Sequence, residues 1–149
     1  MRRLAFTILL LALGAAYGAD KNESLAGLKA RFESAHPEDR PDIGIRIAQY
    51  QLRNADKLYA SGDADLARAA VDDIATYSEK SRDAAIQTKK HLKNVEIDAR
   101  KMAEKLRDIK RTLAFDDQAP VEQAILRLED VRTSLLKEMF AKDKKKEAK

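Results

Sequence analysis

The chain has no cysteine and no tryptophan, and only three prolines, five glycines and 5% aromatics in its 149 residues. Without cysteine it has no disulfide, no thiolate metal ligand, no thiol nucleophile and no acylated lipoprotein anchor. So few breakers and aromatics give strands little to work with and favour long amphipathic helices. Of the two histidines, His91 has no acid or histidine one helical turn away, and His36 has acids near it only within a proline-flanked loop. Residues 63 to 74, DADLARAAVDDI, carry acids at the first and third positions of a calcium loop. They lack its central glycine and have Ile74 where the loop needs glutamate. There is no phosphate-binding glycine loop, nucleophile elbow or zinc-protease pair. These absences argue against an enzyme and against a resident cofactor or metal.

What is present is charge and aliphatic surface, 36% and 44% of the residues, the balance of one soluble helical domain. The first residues are different. Arg2 and Arg3 precede an apolar run from Leu4 to Leu13, and small residues follow in GAAYGAD. About ten apolar residues are too few to span a bilayer, which takes roughly 20, so the pattern predicts a secretory signal peptide over 1–19. Ala16 and Gly18 supply the small-x-small match, and the mature protein is expected to be exported, periplasmic or secreted. Loss of Arg2 and Arg3 takes the net charge from +4 to +2. A mildly basic exported chain with no basic motif is a poor partner for nucleic acid.

In the mature chain, Asn22 and Ser24 precede LAGLKARFES, a short helix with Leu25, Leu28 and Phe32 on one face. The prolines of HPEDRP break it, and Pro41 suits the first turn of a second helix running to about Ala60. Ser61-Gly62-Asp63 closes that helix and opens the next. From Asp63 to Phe115 there is neither Gly nor Pro. Steps of three and four residues then trace one seam: Val71, Ile74, Ser78, Ser81, Ala85, Thr88, Leu92, Val95, Ala99, Met102, Leu106, Ile109 and Leu113. The expected fold is therefore all-α: an elongated, coiled-coil-like antiparallel bundle over 20–141. Its centre is one helix from about 63 to 115, roughly 78 Å long.

The small, polar seam from Ser78 to Thr88 suggests either a close helix crossing or a poorly packed segment. Charge divides along the same helix, with net −3 over 63–83 and net +5 over 89–111. This suits the helix dipole, and it also suits antiparallel pairing of two such helices. Helices of about 30 Å folded back from each end would leave some 18 Å of the spine uncovered. That waist holds Ala85, Thr88 and Leu92 with a rim of Lys89, Lys90 and Lys93, and it is the candidate surface for a protein partner or a second copy. The first helix swung across it would instead make it ordinary core.

LAFDDQAPVEQ, residues 113–123, is the remaining punctuation. Pro120 fits the first position of a last helix, which leaves Asp116 and Asp117 as corner residues rather than a catalytic or cation-binding pair. That helix carries Val121, Ile125, Leu128, Val131, Leu135 and Met139 on one side, with Leu126, Leu136 and Phe140 off the stripe. Residues 142–149, KDKKKEAK, are expected to be disordered, and any membrane contact would be peripheral and made through these lysines.

The segment LYASGDADLARAA resembles the helix-turn-helix junction of a tetratricopeptide repeat, through Tyr59, Gly62-Asp63 and Ala67. The resemblance covers about 30 residues and implies a hairpin at Gly62. There is no second copy, so the repeat's peptide-binding role is not carried over. In size, export and helical character the chain is also similar to periplasmic holdase chaperones, although the LTxxQ motif of the Spy-like group is absent. The functional expectation is a non-enzymatic exported interaction protein: an adaptor, scaffold or chaperone-like binder. A small-ligand or metal-responsive helical bundle is the alternative.

Overall fold

A computed structural model describes residues 23–147, those past Ala141 by backbone alone; the signal peptide expected over 1–19 lies outside them. The described residues form five helices and no strand: α1 (Leu25–Ser34), α2 (Arg40–Ser61), α3 (Ala64–Thr88), α4 (Leu92–Thr112) and α5 (Phe115–Glu147). The all-α expectation is met. None of these helices is long and apolar enough to cross a membrane.

The first two helices start and stop where local chemistry places them. Ser24 Oγ accepts the Gly27 N–H at 3.1 Å, satisfying one of the free donors of α1. After α1, the Arg40 guanidinium donates to the carbonyls of Ala35 and Glu33 at 3.2 and 3.3 Å. Pro41 sits in the first turn of α2, where a missing N–H costs nothing. Gly62, at φ 84°, ends α2 in the left-handed conformation, and the chain reverses into α3 as the repeat-like junction implies.

The single spine from 63 to 115 does not form. α3 ends at Thr88, and Lys89 and His91 take left-handed φ values of 58° and 62° before α4 begins. Such backbone costs a non-glycine residue about 1–2 kcal/mol. The reversal offsets this by burying Leu92, Val95, Met102, Leu106 and Ile109 within a compact core, each worth about 1.5–3 kcal/mol. Polar side-chain contacts brace the corner. Lys89 reaches Glu138, the Lys90 ammonium lies 2.6 Å from Glu38, and His91 Nδ1 lies 3.1 Å from Asp42. Members of the expected seam from Val71 to Ala85 and from Leu92 to Ile109 are buried, but on two helices instead of one.

The product is two antiparallel hairpins packed together. α2 and α3 form one, α4 and α5 the other, and α5 also packs along α3 while α2 packs along α4. α3 and α5 run parallel, with Arg68–Asp117, Arg82–Asp130 and Lys89–Glu138 in step along both. α1 braces the first hairpin, its Phe32 meeting Tyr77 edge-on at 5.5 Å between ring centroids. Ile47, Ile74, Leu106, Leu128 and Leu135 are fully enclosed at the centre.

The last helix also departs from expectation. α5 starts at Phe115, so Pro120 falls inside it rather than at its first position. Only the Asp116 carbonyl thereby loses a helical donor, and the helix continues past the proline to Glu147. At the other end the helical backbone runs through Glu147, into the lysine-rich segment expected to be disordered.

Candidate interaction surface

The waist predicted from the sequence is not an open surface. Ala85 is fully enclosed and Leu92 is 7% exposed, both members of the core. Thr88 is half-buried and donates to the Ala84 carbonyl at 2.8 Å. Lys89 and Lys93 are exposed, so the basic rim exists without the apolar strip it was to frame. The reversal at 89–91 explains this: once the spine folds on itself, no stretch of it remains uncovered.

Asp116 and Asp117 lie in the first turn of α5, where negative charge is favourable. Asp117 accepts from the Arg68 guanidinium at 2.9 Å, a clasp between the beginnings of α3 and α5. Burial raises the pKa of the neighbouring Tyr59 phenol, and the Asp117 charge adds to the effect. Its hydroxyl is enclosed with no hydrogen-bond partner. The two aspartates diverge: Asp117 faces the clasp, while Asp116 is exposed and has no ion pair among the described residues. They are not a paired-carboxylate site.

Both flanks of α5 are committed to ion pairs. Towards α3, Arg127 donates through Nε and Nη2 to both oxygens of Glu79 at 2.8 and 2.7 Å, and also reaches Asp72 at 2.8 Å and Thr76 at 3.1 Å. Those bonds hold the Glu79 carboxyl below its ordinary range despite burial, and hold the Arg127 guanidinium above its own. Towards α4, Arg132 bridges Glu96 at 3.0 Å and Glu129 at 2.8 Å, while Arg107 also pairs with Glu129. Burial opposes charge on Glu129, but the two guanidinium groups outweigh it and lower the carboxyl's pKa. Bidentate, charge-assisted pairs of this kind fix helices laterally. Their geometry is structural.

The remaining side of α5 faces outward. With 3.6 residues per turn, Phe115, Ala119, Leu126, Thr133, Lys137 and Phe140 lie within about 40° of one line along the helix. Phe115 is 86% exposed, Leu126 55% and Phe140 63%, among the largest apolar groups the surface shows. Beside Phe115 is a hollow of about 400 Å³ walled by Ala119, Gln118, Glu122 and Lys110. The sequence held the signal, since Leu126 and Phe140 already fell off the buried stripe. Only the packing shows that none of the described helices covers them.

A second hollow, of about 470 Å³, lies between α1 and α2. It presents Arg46, Tyr50 and Arg53, with Glu23 drawn to Arg31 at 2.8 Å and to Arg46 at 3.7 Å. The described residues bring no three histidine, aspartate or glutamate side chains into a metal-binding group. Comparison with known proteins gives no matching family model, no similar curated protein and no similar solved structure.

Proposed function

We propose that this is a non-enzymatic, exported interaction protein of the cell envelope, an adaptor, scaffold or chaperone-like binder that meets a polypeptide partner on the outer face of α5. The observation that carries the reading is the alignment of Phe115, Leu126 and Phe140, exposed on one line of one helix. Helical partners and unfolded chains both recognise surfaces of this type through spaced apolar anchors. The displaced pKa values of Glu79 and Arg127 arise from an interhelical ion pair, and those of Tyr59 and Tyr77 from desolvation. This structural use of these groups supports a non-enzymatic role, while burial raises the pKa of the Asp98 carboxyl of α4. Export rests on the pattern of residues 1–19.

The test is binding of unfolded envelope polypeptides by the mature protein, followed by fluorescence anisotropy. Saturable binding that Phe115→Glu and Phe140→Glu each weaken supports the reading, and binding indifferent to both would remove it. A small anionic ligand in the α1–α2 hollow is the second reading, favoured by Arg46 and Arg53 flanking Tyr50. Ligand- or metal-dependent melting, abolished by Arg53→Ala, would favour that one.

A further inference from the structure

The exposed line on α5 is self-complementary. Phe115 and Phe140 lie near its two ends, about 37 Å apart along the helix, and Leu126 stands within two residues of their midpoint. A two-fold axis perpendicular to α5 at that midpoint would set Phe115 of each copy against Phe140 of the other. It would place the two Leu126 side chains close together at the centre. This isologous pattern, residue i on j and j on i, is what a two-fold pair demands.

Charge and shape agree with that pairing. Asp116 at one end and Lys137 towards the other are both exposed, and neither has an ion pair among the described residues. Antiparallel pairing brings them within reach of each other twice. The Phe140 ring would then arrive at the hollow walled by Ala119, Gln118, Glu122 and Lys110, beside Phe115. In this register Thr133 opposes Glu122 and Lys137 opposes Gln118, next to Ala119; the two Glu129 that also come near the axis are each paired with Arg107 and Arg132 of their own copy.

We propose that the outer face of α5 is a two-fold interface between two copies of this chain, paired antiparallel, with Phe140 of each seated in the hollow beside Phe115 of the other. The inference rests on the reading of this face as an interaction surface and names its partner. A single helix face is smaller than the usual stable interface, which places the pairing among the weak, exchanging kind.

The absence of cysteine allows a clean test. In the mature protein carrying Leu126→Cys, a short bis-maleimide should link the two copies. Ala119→Cys and Lys137→Cys should each remain single alone and link when mixed. Sedimentation from low micromolar to near-millimolar concentration should show a monomer–dimer equilibrium, which Phe140→Glu weakens more than about tenfold without changing the melting temperature. Linking of Ala119→Cys to itself would mean parallel pairing and would overturn the proposal, as would a monomer throughout the range with no linking. If clients bind on α5 but no variant links, the face is an interaction surface with a different partner, and only this inference falls. If copies link as stated but no client binds, the pairing stands and the binder reading fails.

Discussion

Gly44 of α2 lies directly against Ser81 of α3. A Cβ at Gly44 would overlap Ser81 Oγ and stand 3.1 Å from both the Tyr77 carbonyl oxygen and Phe32 Cε2. Ser81 in turn donates to the Tyr77 carbonyl at 2.8 Å, so its hydroxyl is fixed rather than free to swing away. Gly44→Ala should therefore lower stability by about 1–3 kcal/mol, even though alanine is the better helix former. Ser81→Ala in the same chain should recover part of the loss. Simple additivity of the two changes in urea unfolding would show that the crossing is looser than described.

Lys89 gives a prediction whose sign separates two architectures. Glycine relieves a left-handed position, so Lys89→Gly should stabilise the protein by about 1 kcal/mol. The lost contact with Glu138 subtracts little, because the lysine is half exposed. In an unbroken helix the same change would cost about 1 kcal/mol. A lower melting temperature for Lys89→Gly would restore the continuous spine.

Glu79 sets an acid limb. Its folded-state pKa is depressed, chiefly by the hydrogen bonds from Arg127 and against the effect of burial. A depressed carboxyl contributes stability above its unfolded value of about 4.3, and that contribution is lost as pH falls through the folded value. The melting temperature should thus decline as the pH drops below about 4. Arg127→Met should lower it at neutral pH and flatten part of that decline. An acid limb of unchanged steepness in the variant would mean that the pair carries no linkage.

Leu92 separates core from docking surface. At 7% exposure in the core cluster, it cannot accept a carboxylate without stranding a buried charge. Leu92→Glu should abolish cooperative unfolding near room temperature and broaden the amide spectrum. A well-folded variant that had lost only an association would reinstate the waist.

The sequence by itself determined the helical class, the hairpin at Gly62, the start of α2 around Pro41 and the burial of the seam positions from Val71 to Ala85 and from Leu92 to Ile109. These follow from φ restrictions and from periodicity, which act within a turn or two of the residue concerned. It also marked the place of the close crossing, since the small polar seam that allowed either a crossing or loose packing contains Ser81, the residue that meets Gly44. Tertiary structure decided the rest. No glycine or proline marks the break at 89–91, and a register of threes and fours runs through it unchanged. Two non-glycine residues enter left-handed backbone there because the core buried by the reversal outweighs their strain. The start of α5 at Phe115 has a similar basis, with Arg68 holding Asp117 from a helix nearly fifty residues earlier. Which apolar residues remain outside is likewise settled only when every helix has taken its place. Leu92 went in and Phe115 stayed out because burial depends on what packs alongside a residue, and no local rule of spacing contains that information.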